Sequence, residues 1–225
     1  MLRSPIYFLA VFILPLLSLS CTRDNAKNGF HPYDIQHGAL HFEFFGDTRG
    51  TDDLFFDRFG DREAHVTHSE IITDKEFRPS VKYVVLTKGN VIVVDSARFE
   101  TVRLKDKISD SLYRLSPGDV PTAEEQFAIA FGKQGFVQRA DTLIRTQGVV
   151  IKAHVWQLAE MPSFVFEFKG LIVGNYSNVN GHINELRLVS IDTVNAIDTM
   201  RFIPPNGFPI KDMTKQGSNL PNNQP

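Results

Sequence analysis

Residues 50–66, GTDDLFFDRFGDREAHV, decide the fold, because they have the pattern of two β-strands joined by a tight turn. Side chains alternate along a strand, so Phe55 and Phe56 point to opposite faces. Gly60 and Asp61 supply the turn, since glycine accepts the positive φ that a short hairpin loop requires. Apolar side chains on both faces predict a curved antiparallel sheet that wraps around an interior.

Strand-like alternation continues on both sides of this hairpin. The clearest examples are residues 35–45 and residues 163–169, where apolar side chains recur at every second position. Alternation alone selects the side chains that we expect to line an apolar cavity: Leu40, Phe42, Phe44, Phe55, Phe164, Phe166 and Phe168. A slip of one residue in strand register would exchange the two faces, so this set depends on the register.

The longest segment between the strands divides into two parts. Residues 98–120 are mixed and charged, with a Ser-Pro-Gly break, and we expect most of them to be irregular. Thr122 and Glu125 have the spacing of a capping box, which predicts a helix over residues 122–134. A helix this short is unstable alone in water, so we expect it to lie across the open side of the sheet.

The predicted fold class is therefore mainly β (α+β). It is a curved antiparallel sheet that forms a half-open barrel, with one or two helices covering the concave side. Residues 35–212 form this single domain, and residues 201–210 fold back against its end. Residues 213–225 have little to bury, so we predict a disordered tail.

The N-terminus predicts export. Residues 1–20 have a basic start and an apolar stretch too short to span a bilayer as a helix, which is typical of a signal peptide. Cys21 follows at the expected cleavage point, and the stretch before it resembles a bacterial lipoprotein signal. Residues 21–34 then form a flexible tether. We expect an outer-membrane lipoprotein that faces the periplasm, attached by lipid on Cys21; the alternative is a plain signal peptide followed by an incidental cysteine.

Composition excludes several partners. Removal of the signal peptide takes away Arg3 alone among the charged residues, so the mature chain is slightly acidic and carries no strong basic field for nucleic acid. The chain has 19 phenylalanines but one tryptophan, a mixture that suits an apolar interior better than sugar recognition. A single cysteine cannot form an internal disulfide bond.

Two groups of motifs resemble a known family. Residues 50–64 resemble the hairpin "GT…LYFDxYGxREA" of the exported bacterial DUF4412 family. Trp156, Phe164–Phe166, Lys169-Gly170 and the segment RFIPPNGF at residues 201–208 follow in the order of that family. The family is similar in fold to the lipoprotein carriers of the Gram-negative periplasm. The resemblance implies an apolar cavity able to take acyl chains, and it carries over no catalytic residue.

The histidines do not predict a metal site. His37 and His41 lie about 13 Å apart along an extended strand, too far to share an ion that needs bonds of about 2 Å. His65 and His68 point to opposite faces of their strand, and we expect all four to be solvated strand positions.

Acidic residues near the hairpin invite a calcium or paired-carboxylate interpretation. Asp52, Asp53 and Asp57 lack the glycine-bearing loop of a calcium site, so we assign them to strand edges and turns. No nucleotide-binding motif and no glycine elbow around a serine occur. We therefore predict no cofactor, no metal and no enzymatic activity.

The sequence leaves two functions open. The first is a lipid-anchored envelope protein that binds a lipid or an acylated partner in a half-barrel cavity. The second is a packed structural module that is tethered to the outer membrane and binds an envelope protein. A filled interior with an exposed apolar patch would favour the second.

Overall fold

The computed structural model describes residues 32–46, 48–72, 77–88, 90–105, 125 and 131–214. Within them, twelve strands form one sheet. In chain order these are β1 (Gly38–Phe45), β2 (Arg49–Asp57), β3 (Arg62–Ile72), β4 (Phe77–Thr87), β5 (Asn90–Asp95), β6 (Glu100–Lys105), β7 (Phe136–Arg145), β8 (Val150–Leu158), β9 (Ser163–Phe168), β10 (Leu171–Val179), β11 (His182–Asp192) and β12 (Ile210–Asp212).

The sheet is open and curved. Its strand order is β12-β6-β5-β4-β3-β2-β1-β11-β10-β9-β8-β7, and every neighbouring pair is antiparallel except β12 with β6. Strands β7 and β12 are its two edges, so the sheet is not closed into a barrel. This confirms the predicted class, a mainly β fold built on a curved antiparallel sheet. No helix among the described residues is long and apolar enough to cross a membrane.

The β2–β3 hairpin forms where the sequence predicts it. The strands pair from Arg49 with Glu70 to Asp57 with Arg62. A 3₁₀ turn over Arg58–Gly60 joins them, and Gly60 has the positive φ of 87° that favours glycine there.

The two faces of the sheet are both packed. We call the face that carries Leu40, Leu54 and His65 the inner face. Its largest cluster joins β1 and β2 to β8 and β10, which are several strands away in the sheet order. The outer face carries Ala64 and Val85, and there the C-terminal segment covers it through Phe202. Phe202 is buried as predicted for the closing segment, but Ile203 is 54% exposed.

Two predictions for the segment after β5 have different outcomes. The prediction that residues 98–120 are mostly irregular is wrong over Glu100–Lys105, which form β6 and pair with β5. Thr101 of β6 is buried and Val102 is partly buried, but three charged residues in its six positions obscure the alternation in the sequence. Residues 106–120 lie outside the described part of the chain.

The predicted helix over 122–134 falls largely outside the described residues, although residues 131–133 are helical. Phe131 is fully buried and packs with Phe136, Trp156 and Val165. These side chains lie on the outer face, because Val165 alternates with the inner-face Phe166. The end of this helix therefore covers the outer face, whereas the sequence prediction placed the helix across the open side.

Packed structure begins within the segment that the sequence assigns to the tether, residues 21–34. Tyr33 is 4% exposed, and its ring packs edge-on against Phe56 with centroids 4.8 Å apart. Ordered packing thus includes residues that the sequence assigned to the tether. The proposed signal peptide, Cys21 and nearly all of the C-terminal tail lie outside the described residues.

Candidate functional site on the inner face

Strand register arranges the inner face in rows that cross the sheet. One row joins a leucine of β1 to a valine of β6 through directly paired residues: Leu40, Leu54, His65, Val84, Val93 and Val102. The next row toward the β2–β3 turn is Phe56, Glu63, Leu86, Val91 and Leu104. Each row is apolar except at β3, where it carries one ionisable side chain.

The predicted cavity residues of β1 form the packed floor of this face. Leu40 is 1% exposed, Phe42 is 2% exposed and Phe44 is 8% exposed. Leu40 and Phe42 belong to the cluster that includes Leu54 and Phe56. These side chains are therefore sealed by protein contacts.

The predicted residues of β9 lie at the side of the same floor. Phe166 and Phe168 are partly buried and pack against the inner cluster. Phe164 pairs with Tyr176 of β10, and the two rings lie 6.3 Å apart. Across the sheet, Val84, Val93 and Val102 of β4 to β6 are also only partly buried. The inner face thus has a sealed centre and two apolar flanks that are partly exposed.

Phe55 does not share this face. It packs on the outer face near Ala64 and Phe202, and the guanidinium of Arg201 lies 4.8 Å from its ring centroid. Leu54 pairs with Leu40 across β1, which directs Phe56 inward and Phe55 outward. Leu40, Phe42, Phe166 and Phe168 thus contribute to the inner cluster, whereas Phe55 lies on the opposite face.

A charged cluster lies buried on β2 and β3 within the apolar rows. His65 Nδ1 lies 3.0 Å from Asp52 Oδ2, and the hydroxyl of Thr67 donates to Asp52 Oδ1 at 2.6 Å. His65 Nε2 lies 3.8 Å from Glu63 Oε2. The side chains of His65 and Glu63 are 9% and 2% exposed. The prediction that His65 is a solvated strand position is therefore wrong.

The surroundings of His65 decide its charge. Burial alone would lower the pKa of His65, but the attraction and hydrogen bond of Asp52, together with the nearby carboxyl group of Glu63, raise this pKa to about 10. Burial likewise opposes ionisation of Asp52, yet His65 and Thr67 keep the pKa of Asp52 below its ordinary value. His65 is thus a cation at neutral pH, and a cation with so high a pKa is a weak general base.

The other predicted polar positions lie on the outer face or at the turn. His41 Nδ1 lies 2.6 Å from Asp53 Oδ1, and both side chains are about one-third exposed. Arg62 Nε donates to Asp57 Oδ1 at 2.8 Å, and a second contact joins the same two groups. Among the described residues, no group of three or more His, Cys, Asp or Glu side chains is arranged to hold a metal ion.

One cleft of about 210 Å³ lies at the end of the central strands, where β1 begins and β2 finishes. Its walls are polar and apolar in about equal parts and come from the start of the domain, the β2–β3 turn and the segment after β11: Gln36, His37, Asp57, Arg58, Ala196 and Ile197. This cleft is not the apolar cavity that the sequence predicts.

Sequence reasoning missed Glu63 and His65. Alternation from Arg62 onward does place Glu63 and His65 on one face of β3. Their burial follows from pairing with Phe56 and Leu54, which the sequence of β3 alone does not show. An ionisable pair at positions i and i+2, opposite a known apolar strand face, is the signal that would have found them.

Comparison with known proteins gives matches among solved structures alone. No family model matches the chain, and no curated protein matches it. Among solved structures, it is similar to an uncharacterized conserved protein from Thermus thermophilus, at 6% identity and a TM-score of 0.49, over 80% of this chain and 91% of that chain.

Two other solved structures are similar over most of both chains. LprF from Mycobacterium bovis has 10% identity and a TM-score of 0.33, over 82% of this chain and 95% of that chain. A beta-barrel-like protein of the domain of unknown function DUF1849 from Brucella abortus has 10% identity and a TM-score of 0.32, over 72% and 100%. Likeness this distant assigns the chain to no family, so the resemblance to DUF4412 stays a prediction.

Proposed function

We propose that this chain is a lipid-anchored envelope protein that binds an apolar molecule, a lipid or an acylated partner, on the inner face of its half-open sheet, without catalysis. One observation carries the proposal: the inner face has an apolar row across β4 to β6 and phenylalanines on β9, and these side chains are only partly buried while the centre is sealed. Large apolar areas left partly exposed on a concave surface are characteristic of binding sites.

The two flanks fit a flexible chain of methylenes. Val84, Val93 and Val102 form one flank, and Phe166 and Phe168 form the other. Each methylene buried against a flank contributes about 0.8 kcal/mol, so about eight methylenes would contribute roughly 6 kcal/mol. That is enough to offset much of the cost of association.

The charged cluster supports a role without catalysis. His65 is held as a cation between two carboxylates, and its Nδ1 is already engaged by Asp52. A side chain with this protonation state does not accept a proton from a substrate at neutral pH. The cluster instead fixes the pairing of β2 with β3 beneath the apolar rows.

A packed interaction module is the second candidate, and a specific observation favours it. Leu40, Phe42 and Phe44 are nearly inaccessible, so the centre of the predicted cavity is filled by the protein itself. The packed module would bind an envelope protein through the flanks, whereas the protein of the first proposal would bind a lipid or an acylated partner there.

Binding of a fluorescent fatty acid distinguishes the lipid-binding protein from the packed module directly. Val93 faces the inner side of β5, and its neighbour Ile92 faces the outer side. We expect delipidated protein to bind the probe. Val93→Trp fills the flank and should weaken the affinity for the probe by about tenfold or more. Ile92→Trp should leave the affinity unchanged. Absence of uptake by the unsubstituted protein would favour the packed module.

Lipid attachment requires a separate measurement. Mass spectrometry of the mature N-terminus is expected to show a diacylglycerol-modified Cys21. An unmodified N-terminus at Cys21 or at a neighbouring residue would support the plain signal peptide instead.

A further inference from the structure

The chain enters the fold by bridging two turns that are distant in the sheet. Tyr33 N donates to Phe59 O at 2.9 Å, in the β2–β3 turn. The next residue, Asp34, donates its N–H to Lys169 O at 3.2 Å, in the β9–β10 turn. Because β1 and β11 lie between β2 and β10, a flat sheet would hold these turns about 15 to 20 Å apart. Consecutive Cα atoms are about 3.8 Å apart, so the curvature of the sheet brings the two turns together. We call residues 32–36, which span this gap, the clasp.

The clasp seals one end of the inner face. Tyr33 is 4% exposed and belongs to the same cluster as Leu40, Phe42 and Phe56. Its ring packs edge-on against that of Phe56. Ile35 is partly buried against the same cluster. The clasp therefore closes over side chains that the sequence predicts to line an apolar cavity.

The turn that receives the clasp is strained. Arg58 and Phe59 have φ angles of 49° and 61°, in the left-handed region that bulky side chains rarely adopt. Both backbone polar groups of Phe59 bond to the clasp, since its N–H donates to Gln36 O at 2.8 Å and its carbonyl accepts from Tyr33 N. Strain of this kind persists where the surrounding contacts impose it. Release of the clasp would relieve the strain, and this relief lowers the cost of opening.

Gly60 allows the clasp to lie directly on this turn. A Cβ at Gly60 would lie 2.6 Å from the ring of Tyr33 and 2.8 Å from the Cβ of Pro32. Contacts this short require the clasp to move. A single methyl group at this position can therefore displace the clasp without changing any side chain of the apolar face.

We infer that the clasp is an autoinhibitory device: while it is seated the centre stays sealed, and its release opens the inner face to an apolar chain. The inference rests on the proposed function, because it takes as its ligand the apolar molecule proposed for the flanks. It also joins the two candidate functions. The seated form has the filled interior of the packed module, and the released form has the open apolar face of a lipid-binding protein. The ligand and the clasp then compete for the same side chains, so each weakens the binding of the other.

Gly60→Ala in the delipidated full mature chain tests the inference through binding of the fluorescent fatty acid. The added methyl group unseats the clasp, and burial of about two further methylenes against the centre is worth about tenfold in affinity. We therefore expect Gly60→Ala to bind the probe at least about tenfold more tightly than the parent. Gly181→Ala is the matched control, because Gly181 has a φ of 85° against 87° for Gly60, and a Cβ there meets nothing within 4 Å. This control should bind the probe as the parent does.

Hydrogen exchange of the unsubstituted protein is a second test, which does not depend on whether Gly60→Ala folds. A saturating amount of the fatty acid should speed exchange of the Tyr33 and Asp34 amides by about tenfold or more, because a ligand that binds the released form raises its population. The amide of Ile203, which donates to Met200 O in the C-terminal segment, should exchange at an unchanged rate.

The outcomes separate the clasp from the proposed function. Equal affinity of the parent and Gly60→Ala for the fatty acid, or exchange at Tyr33 and Asp34 that the ligand leaves unchanged or slows, would overturn the clasp and leave the proposed function standing. Equal gains in Gly60→Ala and Gly181→Ala would also overturn it, because backbone strain alone would then explain the gain. No binding of the fatty acid by the parent or by Gly60→Ala would overturn the proposed function and the clasp together.

Discussion

Replacing Asp52 with asparagine removes the negative charge that keeps His65 protonated inside the sheet. The raised pKa of His65, about 10 against an ordinary value of 6.5, corresponds to a stabilisation of at most roughly 5 kcal/mol. Removing one partner of a buried pair costs about 3 to 5 kcal/mol by general experience. We therefore expect Asp52→Asn to lose at least about 3 kcal/mol of unfolding free energy at pH 6.

The pH dependence has a definite sign. A pKa that is higher in the folded state contributes stability that is fully present below pH 6.5 and is lost as pH rises through about 10. The difference in stability between the parent and Asp52→Asn should thus be largest near pH 6 and should shrink steadily toward pH 10. Urea unfolding at pH 6, 8 and 10 measures it.

The adjacent residue supplies the control. Asp53 points to the outer face, where it pairs with His41 and both side chains are about one-third exposed. Asp53→Asn should cost less than about 1 kcal/mol. Equal losses in the two variants, or a difference between parent and Asp52→Asn that does not change between pH 6 and pH 10, would refute this account of the buried cluster.

Two further substitutions test the packing. Phe42 is 2% exposed, and Phe42→Ala should lose about 3 to 5 kcal/mol of unfolding free energy, measured in urea. Phe45→Ala changes a 37% exposed position of the same strand and should lose less than about 1 kcal/mol. Similar losses in the two variants would contradict a sealed centre. A Cβ on Gly50 would lie 1.9 Å from the carbonyl oxygen of His68, so Gly50→Ala should lower the melting temperature by roughly 5 °C or more. Gly132→Ala meets nothing within 4 Å and should melt with the parent; a matching drop there would show that contact with β3 is not the cause.

The architecture was predictable because local patterns determine it. Alternating side chains before a Gly-Asp turn indicated the β2–β3 hairpin, and apolar side chains at every second position indicated β1 and β9. Leu40, Phe42 and Phe44 were correctly placed on one face, because alternation within a strand does not depend on its neighbours.

The remaining features depend on pairing between strands. Phe55 and Phe56 are chemically alike, and only the pairing of Leu54 with Leu40 decides which of them faces inward. His65 looks like a surface residue until its partners on β2 and β4 are known to be Leu54 and Val84. Charged residues likewise concealed β6, whose strand character comes from its pairing with β5.

Native mass spectrometry of the protein purified from the cells that make it, without organic solvent, tests the central claim most directly. We predict a complex whose mass exceeds that of the lipid-modified chain by one acyl-chain-bearing molecule, and that this excess disappears after solvent extraction. A protein that carries only its covalent lipid, and that gains no mass when incubated with fatty acids or phospholipids, would contradict a binding role for the inner face.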